Sequence, residues 1–212
     1  MHSLKPSQAL FLFAMSNEAA VRVGHFSPDA PNVDVLVNDE VAFEDLAFEE
    51  VTEYAELPAG THDVAVAPSG TEDAVLELTL DIEADTSYSA FATGEVGEES
   101  LQCSVFVDEP GDIADDQTHA RLIHTSPDAP SVNVQVADGG PVLCEDIGFR
   151  EASGYVPVDA GSYDLEVVPT GSSDPALSLP DTELAPGTAV SAVAVGKLED
   201  GSLGALFAED AA

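Results

Sequence analysis

The sequence is almost devoid of basic residues and has no tryptophan. Its 212 residues include 5 Lys and Arg against 41 Asp and Glu, a formal net charge of −36. Proteins that bind nucleic acid need a basic surface to neutralise the phosphates, so this composition excludes nucleic acid as a partner. No apolar run is long enough to cross a bilayer as a helix, so no transmembrane segment is predicted.

The acidic charge is spread over both halves of the chain, which is typical of adaptation to solvent rather than of a clustered binding patch. An acidic surface that recruits a cationic partner is the alternative interpretation. At low ionic strength the self-repulsion of this charge opposes the compact state. The composition therefore indicates a halophilic protein that needs molar salt to fold, with weak Ca²⁺ binding by the acidic surface.

Cysteine is scarce as well. The only two, Cys103 and Cys144, form no CxxC pair and have no metal-ligand spacing around them. Two free thiols are predicted, with a disulfide between them as the alternative. Near the amino terminus, residues 9–15 form a short apolar run after Lys5. Residues 1–20 are either a weak signal-like segment or a mis-assigned start with translation from Met15, so cell-surface and cytoplasmic locations both stay open.

An internal repeat organises the chain. The segment HFSPDAPNVDVLV begins at His25, and HTSPDAPSVNVQV begins at His124. Later positions match as well, including Tyr54 with Tyr155. The predicted domains are residues 21–107 and 119–208, joined by an acidic linker at residues 108–118.

Each copy has a hydrophobic period of two. Val33, Val35 and Val37 alternate with other residues in the first copy, and turn signals such as Asn38-Asp39 recur at short intervals. Alternation of this kind is typical of antiparallel sheets with one buried and one wet face. The predicted fold is all-β, with two tandem antiparallel β-sandwiches of the immunoglobulin or transthyretin-like type and about seven strands each.

The SPDAP segment reads as a rigid connector between strands. Pro28 fixes φ for a turn, Asp29 is expected to hydrogen-bond its own downstream backbone, and Pro31 extends the residue before it. The runs VRVGHFSPDAPNVDVLVN and ARLIHTSPDAPSVNVQV resemble the family called domain of unknown function 4397. The resemblance extends from Val21 to about Ala208. It implies tandem β-sandwich modules, often exported or at the cell surface of bacteria and archaea, with no established activity.

The SPDAP loops supply the candidate binding residues, which are His25, Ser27, Asp29, His124, Ser126 and Asp128. These are the residue types of a hydrolase triad, but three residues spaced two apart rarely reach triad geometry, and no GxSxG elbow exists. No catalytic residue is predicted. Each histidine is expected to bond a loop carboxylate or a backbone carbonyl.

No cofactor and no specific metal site are predicted. The alternative for a hard cation is His25 with Asp29, or the linker carboxylates Asp108, Asp112 and Asp115. The sequence favours a non-catalytic binding or structural module whose partner is a protein or a cell-envelope glycan. The alternatives are a cytosolic scaffold or stress-related protein, and a hydrolase that uses the repeated His-x-Ser-x-Asp positions.

We expect the protein to expand or unfold in dilute buffer and to refold above about 1 M KCl, where the Debye length falls to about 3 Å. Circular dichroism at the β-sheet minimum near 218 nm, followed from low to high salt, checks this. A signal that does not change with salt would contradict the prediction.

Overall fold

The computed structural model describes residues 17–71 and 73–211. These residues form sixteen strands in four sheets of four, arranged as two sandwiches. Apart from residues 17–20, the predicted amino-terminal segment lies outside the described residues. The first strand begins at Glu18.

The first sandwich contains eight strands. They are β1 (Glu18–Phe26), β2 (Val33–Val37), β3 (Glu40–Leu46), β4 (Ala55–Pro58), β5 (Gly60–Pro68), β6 (Leu76–Ile82), β7 (Ser87–Thr93) and β8 (Gln102–Val107). The outer sheet has the order β3-β2-β5-β6 and the inner sheet β4-β1-β7-β8. Between β2 and β3, Asn38 and Asp39 have φ of 52° and 66°, as a tight hairpin turn requires.

The second sandwich repeats this strand order. Its strands are β9 (Gln117–His124), β10 (Val132–Val136), β11 (Val142–Ile147), β12 (Val156–Asp159), β13 (Gly161–Pro169), β14 (Leu177–Leu184), β15 (Thr188–Val195) and β16 (Gly204–Asp210). The outer sheet is β11-β10-β13-β14 and the inner sheet β12-β9-β15-β16. The predicted all-β sandwich fold is confirmed. In each inner sheet, however, the two central strands, β1 with β7 and β9 with β15, run parallel.

The core of each sandwich lies between its inner and outer sheets, where the alternating apolar side chains meet. Val33 and Val35 from β2 pack with Val23 from β1 and Ala90 from β7. The second core is built in the same way around Val134. Burying these side chains supplies the main driving force for each sandwich.

Both cysteines are free and lie in different sandwiches. Cys103 packs against the core of the first, and Cys144 against the core of the second. Burial raises the pKa of the Cys103 thiol to about 11 and also raises that of Cys144. Both thiols are therefore protonated and poorly reactive at neutral pH.

The two inner sheets pack against each other, so their second faces are covered rather than wet. Phe26 and Phe91 of the first sandwich form one buried cluster with Ile123, Val193 and Val195 of the second. The prediction of one wet face per sheet therefore does not hold for the inner sheets. We call the contact between the inner sheets the junction.

Glycine on β1 makes room for the aromatic rings of the junction. A Cβ placed on Gly24 would lie 2.8 Å from ring atoms of both Phe26 and Phe91. Such a distance is shorter than carbon atoms tolerate, so a larger residue at position 24 would displace the rings that contact the second sandwich.

Between the sandwiches, β8 ends at Val107 and β9 begins at Gln117. Asp108, at the start of the segment expected to be a linker, is only 4% exposed. The connecting segment 109–116 contacts the second sandwich through the Pro110 carbonyl, which accepts a hydrogen bond from Nδ1 of His119 at 2.6 Å.

Candidate functional site

The two histidines of the SPDAP loops are fully buried, and both of their ring nitrogens are engaged. Nε2 of His25 lies 3.0 Å from the carbonyl oxygen of Pro31, and Nδ1 accepts the backbone N–H of Ser27 at 3.4 Å. A carbonyl can only accept, so Nε2 carries the proton. His124 makes the same two contacts, to Pro130 and Ser126, at 3.1 and 3.3 Å.

The aspartates of the SPDAP loops bind a distant loop instead of their own downstream backbone. Asp29 accepts the amides of Val96 and Gly97 at 2.8 and 2.7 Å, in the loop between β7 and β8. In the second sandwich, Asp128 accepts the amides of Leu198 and Glu199 at 2.8 and 2.9 Å. Each carboxylate accepts two successive backbone amides that lie in a loop and therefore have no partner in a sheet. These bonds take the place of the expected bond to the aspartate's own turn.

Burial and hydrogen bonding fix the charge states of these groups. Burial lowers the pKa of His25 and of His124 below the ordinary value of 6.5, although the hydrogen bonds to the proline carbonyls oppose the change. For Asp29 partial burial acts to raise the pKa, but the bonds from the Gly97 and Val96 amides outweigh it and lower the pKa. At neutral pH the imidazoles are neutral and the carboxylates ionised.

This geometry does not assemble a catalytic triad. The Ser27 hydroxyl donates to Asp29 at 3.3 Å, and that of Ser126 donates to Asp128 at 3.4 Å. In each loop the serine hydroxyl is bonded to the carboxylate, and both imidazole nitrogens are bonded to backbone atoms. Of His25, Ser27 and Asp29, only Asp29 is exposed. A binding role for the SPDAP residues stays a prediction.

Phe48 and Phe149, matched positions in the repeat, contribute to the same regions. Each presents its ring edge-on to the histidine of its own sandwich, at centroid distances of 6.2 and 6.4 Å. Both rings are half-buried packing partners of the buried histidines.

A second constellation, which the sequence reasoning missed, lies in the junction. Arg22 of β1 is 2% exposed. Its Nε donates to Ser89 of its own sandwich at 2.8 Å, while its other nitrogens pair with the carboxylate of Asp210 and donate to the Glu209 carbonyl at 2.9 Å, both in β16. The side chain therefore reaches from one sandwich into the other.

The second sandwich returns the same contacts. Arg121 of β9 donates through Nε to Ser191 at 2.7 Å and crosses the junction to the Val107 carbonyl at 2.9 Å and to the carboxylate of Asp108. Its Nε also lies 3.9 Å from the carboxylate of Asp210. Two arginines and two aspartates thus form a neutral, buried network, which we call the arginine–aspartate network.

Two tyrosines complete the network. The Tyr54 hydroxyl donates to Asp108 at 2.8 Å, and that of Tyr155 donates to Asp210 at 2.7 Å. The Arg22 guanidinium lies over the ring of Tyr54, 4.8 Å from its centroid, and that of Arg121 lies 4.6 Å from the Tyr155 centroid. Burial, reinforced by the neighbouring carboxylates, raises the pKa of both phenols, so both remain hydrogen-bond donors.

The remaining cations of the described residues lie at the edge of the junction. Arg150 of the second sandwich donates through Nε to the Thr93 hydroxyl at 3.0 Å and also bonds the Ser100 carbonyl of the first. Lys197 lies 2.7 Å from Glu95, again across the junction. All four Lys and Arg residues within 17–71 and 73–211 therefore join one sandwich to the other.

The repeat contained a signal for this network. Arg22 and Arg121 occupy matched positions in VRVGHF and ARLIHT, in a chain with only 5 basic residues. Tyr54 and Tyr155 match as well. Buried side chains of these types need partners, so repeated arginine on an apolar strand indicates a buried ion pair.

Neither of the alternative cation sites is assembled among residues 17–71 and 73–211. Asp108 is committed to Arg121, and His25 is bonded to a backbone carbonyl and not to Asp29. Within those ranges no group of three or more His, Cys, Asp or Glu side chains has the arrangement of a metal site. No helix there is long and apolar enough to cross a membrane.

The fold and the junction define a pair of β-sandwiches held together through their inner sheets. The chain belongs to the family described as Domain of unknown function (DUF4397), whose profile matches residues 19–135 and 134–212. Comparison with curated protein sequences gives no match.

Among solved structures, the chain is similar to the crystal structure of CBMbc (family CBM26) from Eubacterium rectale Amy13K in complex with maltoheptaose. The sequence identity is 9% and the TM-score 0.29, over 92% of this chain and 98% of that chain.

The lowered pKa of the buried histidines predicts a loss of stability in mild acid. Because the folded-state pKa lies below 6.5, the unfolded chain binds more protons than the folded chain as the pH falls through that value. The contribution of the two neutral histidines to the free energy of unfolding is complete above the pKa of the unfolded chain and declines as the pH falls below that value. Urea unfolding in high salt between about pH 7 and pH 5 measures the slope.

The double variant His25→Gln/His124→Gln is expected to flatten that slope, whatever its effect on absolute stability. His119→Gln, which removes a histidine outside the SPDAP loops, is the matched control. An unchanged slope in the double variant would show that the loop histidines are not the source of the pH dependence.

The arginine–aspartate network predicts a large cost for removing one buried charge. Asp108→Asn removes the closer of the two carboxylates that face Arg121 and is expected to lower the free energy of unfolding by about 3 to 5 kcal/mol. The control is Glu95→Gln, which breaks the partly exposed pair with Lys197 and should cost below about 1 kcal/mol. Urea unfolding in high salt compares them, and equal losses would refute the assignment.

Proposed function

We propose that this chain is a non-catalytic binding module of a halophile, in which two paired sandwiches present their SPDAP loops to a partner protein or a cell-envelope glycan. The observation that carries the proposal is the commitment of both ring nitrogens of His25 and His124 to backbone atoms. These histidines were the strongest candidates for a catalytic role, but their hydrogen bonds hold the backbone of the SPDAP loops.

A serine hydrolase needs an imidazole that takes the proton of the serine hydroxyl. Here Nδ1 of His25 accepts the Ser27 amide, and the hydroxyl is turned towards Asp29. Taking up that proton would require the imidazole to break a buried bond and to carry a charge that burial disfavours. The same holds in the second loop, which favours binding over catalysis.

The arrangement of the loops supports a shared binding surface. Asp29 is bonded to the amide of Val96, next to Glu95, and Glu95 pairs with Lys197, next to Leu198. Leu198 in turn is bonded through its amide to Asp128. This series of contacts links the two SPDAP loops across the junction, which supports their use as one surface.

Two exposed apolar side chains mark this surface. Val96 is 42% exposed and Leu198 is 38% exposed, at matched positions in the two loops. In molar salt, attraction between exposed charges is largely screened, so a partner is held mainly by apolar contacts and hydrogen bonds. An apolar pair beside polar loops provides both.

Binding of the full chain to isolated cell envelopes of a halophile, at about 2 M KCl, tests the proposal. We expect Val96→Ser/Leu198→Ser to weaken binding about tenfold or more, since a lost central apolar contact costs at least about 1.4 kcal/mol. Val41→Ser/Val142→Ser is the matched control, because Val41 and Val142 are exposed at matched positions on β3 and β11.

Protease treatment of the envelopes separates the two partner classes, since binding to a glycan survives it and binding to a protein does not. Equal binding of both double variants would overturn the proposed surface. Hydrolysis of an ester substrate that Ser27→Ala/Ser126→Ala abolishes would overturn the non-catalytic assignment.

A further inference from the structure

We propose that the inner-sheet face of each sandwich is a pairing surface for another sandwich of its kind, so that a second copy of this chain can supply the partner by exchange. This inference goes beyond the proposed function, because it concerns what the junction recognises and not what the loops bind.

The polar contacts of the junction are reciprocal. The first sandwich offers Arg22 to Asp210, and the second offers Arg121 to Asp108. Each face therefore carries one arginine and one aspartate that meet their opposites on the other face. A surface of this kind is self-complementary, which is the property of the interfaces between identical subunits of a twofold dimer.

The apolar part of the junction resembles a subunit interface as well. Phe26, Phe91, Ile123 and Val193 are each at most 1% exposed. The rings of Phe26 and Phe91 meet edge to face, 4.9 Å apart. A buried apolar cluster of this kind is costly to expose to water, so each sandwich is expected to require a partner on this face.

Charge selects which sandwiches pair. Glu95 and Lys197 follow Gly94 and Gly196 at matched positions, and the two side chains meet at 2.7 Å. A pairing of two first sandwiches would bring Glu95 towards its own copy, and a pairing of two second sandwiches would do the same with Lys197. Only a first sandwich with a second places opposite charges together.

Arg150 adds a second discriminating contact. Its backbone amide donates to the His124 carbonyl at 2.7 Å, just as the amide of Glu49 donates to the His25 carbonyl at 2.8 Å, so the two positions are equivalent. Arg150 bonds the Ser100 carbonyl across the junction. In a pairing of two first sandwiches Glu49 would face that carbonyl, and an ionised carboxylate has no proton to donate.

The connecting segment does not decide which copy is used. The network and the apolar cluster lie outside residues 109–116, so the same contacts form when the second sandwich comes from another chain. A short linker gives an effective concentration on the order of 1 mM, so pairing within one chain dominates well below that value. Exchange is therefore expected only when refolding takes place near millimolar protein.

Mixed-chain disulfide trapping tests the exchange. One chain carries Glu95→Cys and the other Lys197→Cys, both with Cys103→Ala and Cys144→Ala. The two chains are unfolded together in low salt, refolded in molar KCl, oxidised and separated on a non-reducing gel. We expect the fraction of chains in the covalent dimer to be at least about tenfold larger after refolding at about 1 mM than after refolding at about 10 µM. Exchange that competes with an effective concentration on the order of 1 mM requires this dependence.

Two controls make the result decisive. A single chain with both Glu95→Cys and Lys197→Cys must form the intrachain disulfide, which shows that the geometry permits the bond. A mixture of Val41→Cys and Val142→Cys chains, altered on the outer sheets, must give no covalent dimer. If the intrachain bond forms but no 95–197 dimer appears at any concentration, the exchange is refuted.

Discussion

The buried arginine–aspartate network is the constraint on which the rest of the structure depends. Two buried arginines lie in the junction, and each is neutralised by an aspartate from the opposite sandwich. Separating the sandwiches would break both ion pairs and return their charges to water, so the desolvation that the pairs require offsets most of their attraction. The network therefore serves as a requirement for pairing more than as a source of net stability. The apolar cluster beside it supplies the attraction.

Pairing of the sandwiches also accounts for where the few Lys and Arg side chains of the described residues lie. With a net charge of −36, an acidic protein in dilute solution repels itself, and cations on the surface would relieve part of that repulsion. Yet Arg22, Arg121, Arg150 and Lys197 are all spent on holding one sandwich to the other. Within residues 17–71 and 73–211, the cations of the protein therefore serve to orient the two sandwiches relative to each other.

Alternation and turn chemistry predict the sandwich cores correctly, because Val33 and Val35 alternate on a strand that has one wet face. They fail for the inner sheets. On β1, the face that carries Arg22 and Gly24 looks polar and unfilled, but it is covered by the second sandwich. Period-two patterns report which side chains share a face and not what covers that face. The parallel pairing of β1 with β7 is likewise a tertiary choice that alternation does not encode.

In the SPDAP loops, too, the local turns could be predicted from the sequence and the long-range contacts could not. Their rigid turns follow from Pro28 and Pro31, and a histidine bonded to a backbone carbonyl was expected. The partners of Asp29, however, lie 67 and 68 residues away in the chain. No local rule gives a contact of that separation. The repeated arginine is the clearest sequence feature that points to the junction, since a matched pair of rare cations on apolar strands indicates burial.

The most direct test of the account follows the two native thiols, one in each sandwich, through unfolding. Cys103 and Cys144 are both protected by their own cores, so a thiol reagent reports when each core opens. In molar KCl with rising urea, we expect both thiols to become reactive together, with the same free energy of opening, because separation of the sandwiches would expose the apolar cluster that they share. Exposure of one thiol at clearly lower urea, while the other stays protected, would contradict it.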